Sequence, residues 1–159
     1  MPQPAQPGST AERVSWVLSN CQTIAVVGLS PKPHRASFDV AQYMQSRGYR
    51  IIPINPNARE VLGEKAYASL SEAAQHEQID LVNCFRNSED IAPIVDEALS
   101  IGARALWLQL GIRDDESVHK AAQAGLVALQ DRCIKIDHKA VAGGQVQGAG
   151  PVSTTSAAR

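Results

Sequence analysis

The chain has 159 residues, of which 44% are hydrophobic, and a formal net charge of −1. This length suits one domain with a core of its own, and the near-zero charge gives no bulk attraction to nucleic acid or to an anionic membrane. No apolar run approaches the ~20 residues that cross a bilayer. Residues 1–9 are polar and rich in proline, which predicts a disordered tail and not a signal peptide. We therefore expect a cytoplasmic protein.

Short apolar runs alternate with amphipathic segments along the rest of the chain. The predicted strands lie over about 23–28, 49–54, 79–85, 105–110 and 126–129. The predicted helices lie over about 10–20, 37–48, 71–76, 88–101 and 115–124. Strands with few polar positions indicate that both faces of the sheet are covered. The pattern predicts the α/β class, with a three-layer, doubly wound, mostly parallel five-stranded sheet.

The predicted N-caps are Ser9 or Thr10 for the first helix, Ser37 for the second and Ser71 for the third. The segment between the second strand and the helix at Ser71 is predicted to be a connector with a short extended piece at 66–67. The charged segment 131–138 is expected to be a structural or partner-facing edge. The folded domain is expected to span 10–140, and a tail rich in small and polar residues, 141–159, is expected to be flexible.

The carboxyl ends of parallel strands meet at one edge, where open α/β sheets bind their ligands. The loop after the first strand is the strongest signal there. It starts at Gly28, carries the hydroxyls of Ser30 and Ser37 and the cations Lys32 and Arg35, and leads into a helix. Backbone N–H groups and a positive helix end suit a phosphate, which Arg35 can hold by a bidentate contact. An interpretation as solvated loop cations, with Ser37 only a helix cap, stays equally open.

The fingerprint of a dinucleotide site is incomplete in this loop. That fingerprint needs GxGxxG and an acidic residue about 20 positions further on. Gly28 is present, but Ser30 and Pro33 occupy the other two glycine positions, and Asn55-Pro56 ends the second strand instead of an acid. These departures disfavour an NAD-type oxidoreductase, which remains the alternative.

Three further residues are expected at the same edge. Arg86 is either an anion contact or a surface arginine, and Phe85 either stacks on a base or completes the core. Gln109 is a candidate for the lining of a pocket, whereas Trp107 is expected in the core. No nucleophile–base pair is marked by the sequence, so we predict no catalytic residue.

Metal and disulfide chemistry are not indicated. The cysteines, Cys21, Cys84 and Cys133, are odd in number and far apart, and they support neither a disulfide framework nor a metal knuckle. The four histidines have no i, i+4 pair, which is the spacing of a helical metal site. We expect three reduced thiols and no metal centre.

The order of several sequence blocks resembles a known family. The blocks are VGLSPKPHRAS, GYRIIPINPN, VLGEKAY, IDLVNCFR, IGARALWLQLGI, AGLVALQDRC and IKIDH. They resemble the small stand-alone CoA-binding domain proteins of bacteria, which are similar to the N-terminal CoA-binding domain of the succinyl-CoA synthetase α subunit. The resemblance covers about residues 10–140 and implies a Rossmann-like domain whose ligand is coenzyme A or an acyl-CoA.

The resemblance also implies roles for individual residues. Ser30, Arg35 and Ser37 would hold the phosphates of the 3′-phospho-ADP moiety. The nucleotide would be lined by Asn55, Pro56, Phe85 and Arg86, and the pantetheine side by Gln109. Asp137-His138 departs from the acidic–aromatic pair that is frequent in the family. The expected function is CoA binding, and the protein is expected to catalyse no reaction of its own. A further alternative is an accessory CoA-binding subunit of an acyl-CoA ligase. A protein partner is possible, but the sequence does not identify it.

Overall fold

The computed structural model describes residues 8–143, so most of the two predicted tails lies outside the described residues. The strands are β1 Thr23–Val27, β2 Arg50–Ile54, β3 Glu60–Val61, β4 Glu64–Lys65, β5 Leu81–Cys84, β6 Ala105–Leu108 and β7 Val127–Leu129. The helices are α1 Thr10–Asn20, α2 Ala36–Ser46, α3 Leu70–Ala74, α4 Ile91–Ser100, α5 Asp115–Gln123 and α6 Ile134–Ala142. A turn of 3₁₀ helix, Ser88–Asp90, leads into α4.

Five strands form one parallel sheet in the order β2-β1-β5-β6-β7. The chain passes from β1 to β2 on one side and later crosses to β5 on the other side. This reversal places the ligand crevice of such folds at the carboxyl ends of β1 and β5. The predicted doubly wound α/β fold is confirmed.

Helices cover both faces of the sheet and make three layers. Alternate residues of β1 point to opposite faces, since Ile24 and Val26 belong to one apolar cluster and Ala25 and Val27 to the other. Helices α1, α2 and α6 contribute to the first cluster, and α3, α4 and α5 to the second. Trp107 is fully buried in the first, as predicted. None of the helices within residues 8–143 is long and apolar enough to cross a bilayer.

Two segments have regular structure that the pattern did not predict. The supposed connector contains an antiparallel hairpin in which Glu60 pairs with Lys65. Much of the charged edge 131–138 belongs to α6, which packs on α2 and whose Ile134 is buried in the core. Because only one residue of α6 is fully buried, its apolar periodicity is too weak to recognise in the sequence.

The predicted caps of two helices are wrong by two residues. Ser69, and not Ser71, caps α3, and its Oγ accepts from Glu72 N at 3.1 Å. The N-cap of α2 is Arg35, and not Ser37. Ser37 lies inside the first turn of α2, and its oxygen is already used as the acceptor for another loop amide.

Candidate functional site

Gly28 ends β1 at the point where the backbone leaves the sheet. Its φ is +87°, in the left-handed region that favours glycine. A Cβ at this position would lie 3.1 Å from Arg86 Cδ and 3.3 Å from the carbonyl oxygen of Phe85. Any side chain here would therefore press on the turn after β5. The structure brings these three predicted residues together.

The loop after Gly28 is held by hydrogen bonds to its own serines. Ser37 is buried, and its Oγ accepts from Ser30 N at 3.0 Å, while Ser30 Oγ accepts from Lys32 N at 3.1 Å. Asn55 Nδ2 donates to the carbonyl oxygen of Leu29 at 3.0 Å. The two serine hydroxyls act only as acceptors in these bonds, so each retains a proton that it can donate.

The N-terminus of α2, at the end of this loop, has no side-chain cap. Arginine has no acceptor atom, so Arg35 cannot satisfy the first-turn amides of residues 36–38, and no other described residue does. The exposed side chains of Lys32 and Arg35 also have no hydrogen-bond or ion-pair partner in the described part of the chain. Asp39, one turn into the helix, is paired with Lys135 at 2.8 Å. The loop is therefore a place of positive potential with free donors.

A cavity of about 550 Å³ lies on the other side of Gly28. It is open to solvent and is lined by the carboxyl ends of β1 and β2, the turn after β5, and residues of α3 and α4. The predicted site residues that line it are Gly28, Asn55, Pro56 and Arg86. Those that do not line it are Ser30, Lys32, Arg35, Ser37, Phe85 and Gln109.

The cavity carries acidic residues that are not among the predicted site residues. Glu89, Asp90 and Glu97 line it, and Arg86 pairs with Asp90 at 3.5 Å. Glu97 Oε2 also accepts from Ser71 N at 2.8 Å. In the sequence, Glu89 and Asp90 are indistinguishable from the acids that favour any helix N-terminus. Only the packing of α4 beside β5 shows that they face a cavity.

Gln109 follows β6 and is 5% exposed. Its Oε1 accepts from Asn83 Nδ2 at 3.3 Å and from the backbone nitrogen of Ile134 at 3.4 Å. Because two donors converge on this atom, it is the amide oxygen, and Nε2 is left without an acceptor among the described residues. A buried donor without a partner costs about 1–3 kcal/mol, so a carbonyl group placed there would be stabilised. Phe85, half-buried, packs against the apolar cluster on the same face of the sheet.

The Cys84 thiol, at the end of β5, is not poised for nucleophilic chemistry, and His138 lies away from this edge, against Tyr43 and Tyr49. Burial raises the pKa of the Cys84 thiol to about 12, so it is not a thiolate at neutral pH. Burial, and then the positive charge of Arg47, lower the pKa of His138, whose Nδ1 lies 2.8 Å from the hydroxyl oxygen of Tyr43. Within residues 8–143 no cluster of three or more metal-ligating side chains is present.

Comparisons with known proteins agree with this architecture. The sequence is 41% identical over 125 residues to the uncharacterized protein YneT of Bacillus subtilis (strain 168), covering 79% of this chain and 91% of that protein. The structure is similar to a hypothetical protein from Pyrococcus horikoshii OT3, with a TM-score of 0.78 and 33% identity, over 87% of this chain and 97% of that one.

A larger protein contains the same fold. This is the dinucleotide forming acetyl-coenzyme A synthetase 1 of Ca. Korarchaeum cryptofilum, solved in complex with phosphate and ADP. The TM-score is 0.63 at 24% identity, and the match covers 73% of this chain but 27% of that chain. The sequence profile of the CoA binding domain matches residues 22–139, which is most of the chain. This protein is therefore a member of the CoA-binding domain family.

Proposed function

We propose that this protein binds coenzyme A or an acyl-CoA, that the loop from Gly28 to Ser37 holds the phosphates, and that the protein catalyses no reaction of its own. The main support is the uncapped N-terminus of α2 beside the unpaired cations Lys32 and Arg35. Coenzyme A brings roughly four negative charges at neutral pH. Its phosphate oxygens would satisfy the first-turn amides of α2 and both serine hydroxyls.

The cavity beside the loop suits the neutral part of the nucleotide. Its apolar lining includes Ile54, Pro56 and Ile94, which offer surface for a flat base. Its carboxylates accept hydrogen bonds from the ribose 2′-hydroxyl and from the exocyclic amine of adenine, but they repel phosphate. The adenine would therefore lie in the cavity, with Asn55, Pro56 and Arg86 around it. The phosphates, including the one on the ribose 3′-oxygen, would lie on the loop.

Gln109 is the proposed contact for the pantetheine arm. The arm contains two amide carbonyls, and Gln109 Nε2 is a buried donor that lacks an acceptor among the described residues. The resemblance to CoA-binding domains and the geometry point to the same role for this residue.

The dinucleotide alternative has less support. An NAD site needs a free acceptor at the end of β2 for the ribose hydroxyls. Asn55 stands there, but its Nδ2 donates to Leu29 and its Oδ1 accepts from Asn57 N at 2.8 Å. Both ends of this amide are engaged in holding the loops.

Isothermal titration of the full chain with coenzyme A, dephospho-CoA and NAD tests the proposal. We expect coenzyme A to bind with a dissociation constant well below millimolar, dephospho-CoA to bind more weakly because it lacks one phosphate, and NAD not to bind measurably. Binding of NAD without binding of coenzyme A would overturn the proposal.

The absence of a reaction is tested separately. Acetyl-CoA incubated with the protein should release no free thiol above the rate of a protein-free control, and no oxidation of added NADH should follow. Thiol release that depends on the protein would show that it is an enzyme.

A further inference from the structure

Two large apolar side chains are exposed at the carboxyl edge of the sheet. Leu110 is 63% exposed and Ile136 is 60% exposed. Within residues 8–143, no other large hydrophobic side chain is classed as exposed. Other exposed positions of the described chain are mainly polar or small. Exposed apolar area of this kind is unfavourable in water, at about 25 cal/mol per Å².

Both residues belong to segments that meet at Gln109. Leu110 directly follows Gln109, and Ile136 lies in the first turn of α6, whose Ile134 N donates to Gln109 Oε1. The backbone also connects the two segments, since Arg132 N donates to Leu108 O at 3.4 Å. The residue that we assign to the pantetheine arm therefore lies one position before Leu110 and accepts from the amide two positions before Ile136.

The thioester end of an acyl-CoA can reach this pair. The pair lies at the end of β6, two strands away from β1, and two strand spacings amount to roughly 10 Å. The pantetheine arm is about as long as four extended residues, which span roughly 13 Å. A ligand with its phosphates on the loop after β1 thus brings its sulfur to the neighbourhood of Leu110.

The charges around the pair are already engaged with one another. Arg113 pairs with Asp131 at 3.6 Å and Arg132 with Asp137 at 2.7 Å. Lys135, next to Ile136, pairs with a carboxylate of α2 at 2.8 Å. Because each of these cations lies beside a carboxylate, the group has no net positive charge to attract a carboxylate at the end of an acyl chain, and the surroundings favour an uncharged chain.

We infer that the ligand is an acyl-CoA with an uncharged alkyl chain, and that Leu110 and Ile136 cover that chain. This inference rests on the proposed function and extends it to the substrate class. Leu110 and Ile136 then lose their contact with water when the acyl chain is bound. An acyl group that ends in a carboxylate gains no binding free energy from this contact.

Titration of the full chain with coenzyme A, acetyl-CoA, hexanoyl-CoA and succinyl-CoA tests this assignment. Each methylene that is half removed from water adds about a factor of two in affinity, so hexanoyl-CoA, with four more methylenes, should bind roughly 16-fold more tightly than acetyl-CoA. Succinyl-CoA should bind no more tightly than acetyl-CoA. In Leu110→Ser and Ile136→Ser the gain from acetyl to hexanoyl should fall to less than threefold, with the affinity for coenzyme A unchanged.

Ile101→Ser is the matched control, because this half-buried aliphatic residue follows α4 at the opposite edge of the sheet. It should retain the full gain from chain length. The inference would be overturned if all four ligands bind with equal affinity. It would also be overturned if both substitutions leave the gain in affinity from acetyl-CoA to hexanoyl-CoA unchanged. In either case the binding of coenzyme A itself would stand. Failure of every ligand to bind would overturn the proposed function as well. A dimer that Leu110→Ser dissociates, without a chain-length gain, would assign the pair to a second copy of the chain.

Discussion

The carboxyl edge of the sheet has two sides that differ in charge, and Gly28 separates them. On one side, the loop into α2 carries Lys32 and Arg35 without partners and a helix start without a cap. On the other side, the cavity beside α4 carries three carboxylates, and its cation Arg86 is paired with one of them. The two regions are adjacent, since Gly28 lines the cavity and also begins the loop.

This difference indicates how a ligand that spans both regions must be oriented. A polyanion is attracted by the loop and repelled by the cavity, whereas hydroxyl and amine donors are accepted in the cavity. A molecule with phosphates at one part and a neutral base at another fits the pair of regions. A uniformly anionic ligand would fit the loop alone.

The largest effect is expected when the loop loses its arginine. Arg35→Ala should weaken coenzyme A binding by at least tenfold, because a charged hydrogen bond to phosphate contributes about 1.5–3 kcal/mol. The control is Arg47→Ala, which removes an exposed arginine from the other end of α2. Isothermal titration should show a change of less than twofold for Arg47→Ala. Equal losses in the two variants would mean that only general charge attraction is involved.

Gly28→Ala should destabilise the turn that separates the two regions. The left-handed φ alone costs about 1–2 kcal/mol for a residue with a Cβ, and the contacts with Arg86 and Phe85 add to that cost. Gly48→Ala is the matched control, because Gly48 has a φ of +96° but nothing within 4 Å of the added Cβ. Denaturant unfolding should show a larger loss of stability for Gly28→Ala than for Gly48→Ala. If the two variants lose equal stability, the close contact of Gly28 with the turn after β5 does not contribute to the free energy of unfolding.

Ser37→Ala should loosen the loop and leave the cavity intact. Ser30 N loses its acceptor, which costs about 1 kcal/mol of folding stability, and coenzyme A binding should weaken about fivefold because a phosphate donor is also removed. Ser46→Ala is the control, since it removes an exposed hydroxyl near the end of the same helix. Its affinity for coenzyme A should match that of the unmodified protein. A Ser37→Ala variant with unchanged affinity would remove this hydroxyl from the site.

The smallest effect is expected from a charge reversal in the cavity. Glu89→Lys should tighten coenzyme A binding by no more than about threefold, because the residue is exposed and solvent screens its field. Glu116→Lys makes the same change on α5 and should have no measurable effect. Tightening of tenfold or more in Glu89→Lys would place a phosphate in the cavity and reverse the proposed orientation.

Apolar patterning was sufficient to predict the fold but not the contacts of the site. The strands β1 and β5 are runs of buried residues, and Ser9 caps α1 with Glu12 in a capping box that can be recognised in the sequence. The N-cap of α2 was misplaced because propensity favours serine there, whereas the tertiary contact uses Ser37 as an acceptor for Ser30 N. The statistical preference for serine at N-caps cannot account for a tertiary hydrogen bond that engages the same hydroxyl.

The acidic lining of the cavity and the surroundings of Gln109 could not be predicted for a different reason. Glu97 reaches the cavity from the last turns of α4, far along the chain from Gly28. Gln109 is fixed by Asn83 of the neighbouring strand and by the first amide of α6, a helix that was not predicted. These contacts depend on how helices pack on the sheet, and the chain carries no local signal for them.

An NMR titration of the ¹⁵N-labelled full chain with coenzyme A tests the central claim most directly, because it reports each backbone amide. We expect the largest shifts at Ser30 and at the uncapped amides of residues 36–38, where phosphate would become the missing acceptor, with smaller shifts around Asn55 and Glu89. The amides of the opposite edge, such as Gly48 and Ile101, should not move. Binding that shifts the cavity residues but leaves Ser30 and residues 36–38 unchanged would contradict the assignment of the loop as the phosphate site.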